Sequence, residues 1–160
     1  MQKIITSLGL IFIGALIMGG VMWMMAPKLM VHEFRSPYDV DKTVEVIAQN
    51  AKKQGWVVKN VVDMQKSMKK KLKKDILSSK VMKLGQTQYA YELLKEDDTH
   101  FVAAMMPHSI AIYEKSDGNA YISSMNMGLM GKIFGGETDR VMDKVQKDDD
   151  VILKFLMDQL

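Results

Sequence analysis

The chain has 160 residues, with 22 lysines and arginines against 19 acids, a formal net charge of +3, and no cysteine. Disulfides, thiolate catalysis and cysteine-held metals are therefore excluded, and the length left after an apolar N-terminal segment suits a single hydrophobic core. Methionine is the compositional outlier, at 16 residues.

Residues 4–25 are uncharged and largely apolar. A bilayer core about 30 Å thick is crossed by roughly 20 such residues in helix, so this run predicts one N-terminal transmembrane helix. Lys3 would also suit a cleaved secretory signal, but the run is long for one. The best small residue at its end, Ala26, has Met24 two positions before it and Pro27 after it, a poor cleavage site. A retained anchor over residues 1–27 is expected, followed by one domain over 28–160. Ala15 and Gly19 make a small-xxx-small pair, suited to close helix contact. A very short N-terminal tail ahead of a folded domain is the usual arrangement of an uncleaved signal anchor, so the domain is expected on the outer face of the cell membrane. The lysine tally is close to neutral, with Lys3 before the run and Lys28, Arg35 and Lys42 after it.

After the anchor, residues 30–35 alternate as a first strand. Ser36-Pro37-Tyr38-Asp39 reads as a helix start with Ser36 as the cap and Pro37 in the first turn. Val40, Val44, Ile47, Ala48 and Ala51 recur at helical spacing until Gly55, and β-branched residues make 56–62 a strand. Met64, Met68, Leu72 and Ile76 form a four-spaced stripe on a second helix that also carries Lys66, Lys69, Lys70, Lys71, Lys73 and Lys74. A third helix is expected over 87–95, with Tyr89, Leu93 and Leu94 among its apolar positions. Residues 109–113 and 120–124 flank Ser116-Asp117-Gly118-Asn119, a hairpin signal. Residues 137–160 close the chain as one helix, or as two divided near Asp148-Asp149-Asp150, where three acids would suit a helix start. The fold class is α+β, an antiparallel sheet covered by helices and preceded by one transmembrane helix.

Four stretches together resemble a known family: residues 36–44 (SPYDVDKTV), 54–58 (QGWVV), 89–94 (YAYELL), and 106–114 (MPHSIAIYE) followed by Asp117-Gly118. They are similar to the bacterial and archaeal domain of unknown function 302, over about residues 31–157. The resemblance implies a small α+β domain, often dimeric, without an established activity. It also implies cysteine in many relatives at the segment aligned with residues 85–87 and directly after the proline matching Pro107. Here both are missing, and His108 stands in the second place, so no thiol role carries over.

For the hairpin, cross-strand partners summing to 235 are expected, which opposes Ile110 to Met125 and His108 to Met127. His108, Met125 and Met127 would then share a face, with Met106 or Met130 near. Thioethers with one imidazole prefer Cu(I), whereas methionines facing one sheet surface more often fill a core or an interface. No other cofactor is expected. The lysines Lys66, Lys69, Lys70, Lys73 and Lys74 form a cationic surface for anionic headgroups or an acidic partner, or simply a solvated face. Nucleic acid is not expected, because Arg35 and Arg140 are the only arginines and no aromatic interleaves the lysines. His32, His100 and His108 show no triad or metal-ligand spacing, and the acids at 96–98 and 148–150 read as a turn and a helix start. Gly135-Gly136 lacks the ending of a phosphate loop and reads as a flexible joint; the alternative is that the glycine-spaced methionines and Phe134 form a mobile apolar lip over a groove.

Two functions follow. The first is a non-enzymatic, membrane-anchored protein-binding domain, partnered by subunits of a membrane complex or by a second copy of itself. The second is a sensor or carrier for Cu(I) or a small ligand at the His108 and Met127 face.

Overall fold

The computed structural model describes residues 2–159, with side chains from 12 to 156. A long helix α1 (Gln2–Met30) passes directly into strand β1 (Val31–Arg35). Then follow α2 (Val40–Lys53), β2 (Val57–Asp63), α3 (Met64–Leu72), β3 (Ser79–Gly85) and α4 (Thr87–Leu94). A 3-10 stretch (Asp97–Met105), β4 (His108–Glu114), β5 (Ala120–Met125), α5 (Met127–Phe134), α6 (Gly136–Ile152) and a second 3-10 stretch (Lys154–Gln159) complete the chain. The five strands form one antiparallel sheet in the order β1-β5-β4-β3-β2, which gives the expected α+β architecture. From Phe12 to Met30, α1 is long and apolar enough to cross a membrane. It continues through Pro27, three residues beyond the expected boundary.

Alternation within the strands decides which face of the sheet is covered. Met82 and Leu84 of β3, Ile110 and Ile112 of β4 and Ile122 of β5 are fully buried, and α2 and α6 contribute Ile47, Val141 and Met142 to the same core. The intervening residues Val81, Ala111, Tyr113, Tyr121 and Ser123 are only half-buried, as in a sheet with helices on one side. Strand β3 is not predicted from the sequence. Its lysines interrupt the apolar alternation, and each has a partner: Lys80 pairs with Asp41, and Lys83 donates to the Ser109 hydroxyl at 2.7 Å.

Helix α2 forms as expected, but its cap is Asp39, whose carboxylate accepts from the Lys42 amide at 2.8 Å. Ser36 lies outside the helix, its hydroxyl buried 2.6 Å from that of Thr43. The four-spaced stripe is not one helical face. Lys73 adopts a left-handed conformation (φ 57°) that ends α3, no residue of α3 is buried, and Leu72 is 63% exposed.

The β4–β5 hairpin differs from expectation by one residue. Ile110 pairs with Ser124, Ile112 with Ile122 and Glu114 with Ala120, a sum of 234. Lys115 belongs to the loop, its amide bonded to the Asn119 carbonyl, and Gly118 supplies the positive φ of 75° that closes the turn. A one-residue slip turns every side chain of one strand to the opposite face relative to its partner. Met125 therefore lies on the face away from His108 and Ile110.

Helix α6 runs unbroken through Asp148–Asp150, where a new helix start was one of the two expectations. Gly135 (φ 71°) and Gly136 (φ 56°) make a tight turn between α5 and α6. The two helices then approach closely at Gly131, where a Cβ would stand 3.1 Å from the Asp139 Cα and 3.0 Å from the Met142 Cβ.

Antiparallel order fixes which residues share an end of the sheet. Val31, Met125, His108, Gly85 and Val57 lie at the end joined to α1, and Arg35, Ala120, Glu114, Ser79 and Asp63 lie at the other. Asn126 fastens the first end: its amide donates to the Met30 carbonyl at 2.9 Å and its side chain to that of Leu29 at 3.0 Å. The same side chain caps α5 through the Leu129 amide. Helix α3 follows Asp63, so its lysines sit at the end away from α1.

Candidate functional site

At the α1 end of the sheet a cavity of about 440 Å³ opens between the sheet, α4, the first 3-10 stretch and α6. Its volume lies within the range of small-molecule sites. Most of its wall is apolar: Leu84 from the sheet, Leu93 from α4, Val102 and Met105 from the 3-10 stretch, and Met127 and Met142 from the last two helices. Three rings also line it, and Lys59, Gln86 and Thr87 bring polar groups to its edge. Trp56 stands between Tyr89 and His108, with both ring centroids 5.9 Å from its own and both rings steeply inclined to it.

All three rings are oriented by two neighbouring acids of α6. Asp148 accepts from the indole N–H of Trp56 at 2.9 Å and from the Tyr89 hydroxyl at 3.0 Å. Asp149 lies 2.8 Å from His108 Nε2, with 3% and 7% of the two side chains exposed. That contact has the distance of an ion pair without hydrogen-bond alignment, and neither Asp149 oxygen nor His108 Nε2 has a hydrogen-bond partner. Burial and the bond to Asp148 push the Tyr89 phenol above its ordinary pKa. These acids occupy the last turns of a helix, where the backbone dipole disfavours negative charge. Their partners offset that cost and set the cavity wall.

Helix α4 is held against α6 by Glu92, which accepts from Lys144 at 2.8 Å and Arg140 at 2.6 Å. Lys144 above all, and then Arg140, draw the Glu92 carboxyl down to about 2. Behind the cavity, His32, Ser124 and Asp149 border a smaller space of about 140 Å³, so the His108–Asp149 pair lies between the two spaces.

Of the residues singled out from the sequence, His108 and Met127 both border the cavity, as does Met106. Met125 does not join them, because the hairpin register puts it on the opposite face of the sheet, 38% exposed. The copper set of His108, Met125 and Met127 is thus divided, and among the described residues no three His, Cys, Asp or Glu side chains cluster to hold a metal. Met130 is partly buried against the core. Lys66, Lys69, Lys70, Lys73 and Lys74 are exposed at the far end, with Lys69 paired to Asp75 at 2.9 Å. Ala15 and Gly19 lie exposed on α1, and a Cβ on Gly19 would stand in open space. His100 is exposed, as are Glu96, Asp97 and Asp98. Phe134 stacks edge-on with Phe101 at 5.3 Å. Sequence reasoning placed Trp56, Tyr89 and Asp148 in elements without assigning them to a site. The one signal available was a run of three acids ahead of the apolar Val151 and Ile152, readable as a helix interior as well as a helix start.

The profile of the domain of unknown function DUF302 matches residues 32–156, beginning where α1 ends. The chain belongs to the DUF302 family. The comparison with curated proteins gives no match. Among solved structures, the fold is similar to that of an uncharacterized conserved DUF302 protein from Bacillus stearothermophilus, at 15% identity and a TM-score of 0.70. The likeness covers 80% of this chain and 98% of that one. The two segments at which the resemblance puts cysteine in relatives, 85–87 and 108, meet at the cavity.

Proposed function

We infer that this DUF302 protein is a membrane-tethered binding protein that takes a small apolar ligand into the cavity at the α1 end of its sheet. The observation that carries this reading is the cavity itself: a preformed space of about 440 Å³ whose walls are mostly apolar side chains, with three oriented rings. Such spaces, with few polar groups, are the usual form of small-molecule sites. The apolar helix α1 joins the chain at the same end, which would put the cavity beside the bilayer from which such a ligand partitions. Of the two functions the sequence supports, ligand binding is the one this geometry favours, with the ligand set by shape and apolar contact and not by a methionine metal site.

The chain has two tryptophans, so Trp23→Phe leaves Trp56 as a reporter in the cavity wall. Full-length Trp23→Phe protein in phosphatidylcholine nanodiscs, titrated with decanol, should show a saturable change in Trp56 emission. Ala90→Phe, which fills the cavity from α4, should abolish that change while the thermal transition persists. A response that never saturates, or one that Ala90→Phe leaves intact, overturns the reading.

A further inference from the structure

Strand β2 carries an irregularity at the rim of this cavity. Val58 pairs with Leu84 and Asn60 with Lys83, so Lys59 is an extra residue that bulges from the ladder. Bulges re-aim a side chain, and they recur beside functional sites. The Lys59 stem lies across Gly85: a Cβ on Gly85 would stand 2.7 Å from Lys59 Cε and 3.3 Å from its Cγ, so only glycine leaves that path open to the stem in this position. Both residues border the cavity.

The charge balance of the rim is one-sided. The ionisable residues that border the cavity are Lys59, His108 and Tyr89, with no carboxylate among them. Lys80, Lys115 and Lys144 each meet a carboxylate, whereas Lys59 enters no ion pair among the described residues. Thr87, the first residue of α4, borders the same space and brings the positive end of that helix dipole towards it. An apolar interior with an unpaired cation at its mouth is matched by a molecule with one apolar tail and one anionic head.

We propose that the ligand is a single-chain anionic amphiphile, its tail among Leu93, Val102, Met105 and Met142 and its carboxylate or phosphate head on Lys59. This rests on the cavity being the ligand site and adds the chemistry of what occupies it. A charge-assisted contact at a rim distinguishes a charged head from a neutral one by roughly three- to tenfold in affinity.

The test titrates full-length Trp23→Phe protein in phosphatidylcholine nanodiscs at about pH 8, where both acid heads are ionised. The probes are decanoate, decyl phosphate and decanol, read by Trp56 emission. At least one anion should bind roughly three- to tenfold tighter than decanol. The tighter of the two names the head, and so separates a free carboxylate from a phosphate source. Lys59→Met, which keeps the stem and removes the charge, should erase the preference, and Lys59→Arg should retain it. Equal binding of all three probes, or a preference that survives Lys59→Met, overturns the anionic ligand and leaves the apolar site standing. No saturable response to any probe overturns both.

Discussion

Two aspartates stand against the same helix dipole, each with different partners. Asp148 and Asp149 lie near the C-terminus of α6, where an exposed acid loses about 0.3–1 kcal/mol, so deleting either removes a small penalty. Asp148, however, receives the Trp56 indole and the Tyr89 hydroxyl, and hydrogen bonds to a charged acceptor are worth about 1.5–3 kcal/mol each. The bonds outweigh the dipole. Asp148→Ala should therefore destabilise by about 2–4 kcal/mol in urea titration and broaden the Trp56 environment, while Asp148→Asn, which keeps an acceptor, should lose less than half of that. His108 sets up a different balance. Replacing it with Leu leaves the Asp149 side chain buried with no partner, a loss of about 3–5 kcal/mol, whereas the double substitution to Leu at 108 and 149 removes both buried polar groups and should recover most of it. A double change no more stable than His108→Leu alone would mean that the site needs polar groups to pack.

Element by element, the periodic signals were legible in the sequence and the counts of residues between them were not. Helix α2, the strand around Val57, helix α4 and the hairpin all lie where apolar spacing and turn residues put them, because each periodicity is set locally. The hairpin register turned on whether Lys115 extends β4 or belongs to the loop, and nothing local distinguishes the two. That single residue decides whether Met125 faces His108. Strand β3 was hidden because Lys80 and Lys83 are satisfied by partners distant in sequence. The cavity was illegible for the same reason: its wall is drawn from β2, α4, β4 and α6, which only the fold brings together.

Contacts between elements also set two measurable responses. Gly131 lets α5 settle on α6, and Gly131→Ala must push against the Asp139 backbone, so it should cost about 1–3 kcal/mol despite the better helix propensity of alanine, as read by thermal unfolding. Glu92 ties α4 to α6, with its carboxyl lowered from 4.5 to about 2 by Lys144 and Arg140. A depressed carboxyl stabilises the fold fully above its unfolded pKa and loses that contribution as pH falls through the folded value. Stability should therefore decline between about pH 4.5 and 2, and Glu92→Gln should flatten that part of the urea-midpoint profile. An unchanged slope in Glu92→Gln would assign the acid response to other carboxylates.

At the scale of the whole molecule, the antiparallel order separates two features that the sequence suggested could act together. Helix α1 and the cavity share one end of the sheet, and the α3 lysines follow Asp63 at the other, a strand of seven residues away. At about 3.3 Å per residue that is roughly 20 Å, more than two Debye lengths of about 8 Å in physiological salt, too far for those lysines to hold headgroups while the sheet stands upright on α1. Depth-dependent quenching measures this arrangement. In nanodiscs doped with a headgroup spin label, Trp56 in the Trp23→Phe protein should be quenched well above a reporter on α3, made by Leu72→Trp in a Trp23→Phe, Trp56→Phe background. Leu72 suits that reporter because it is 63% exposed, so the substitution leaves the core untouched. Equal quenching at the two positions, or stronger quenching on α3, would mean that the domain leans over at the α1–β1 junction and lays its lysines on the bilayer. The cavity would then have no privileged access to membrane-borne ligands, and its occupant would have to arrive from solution.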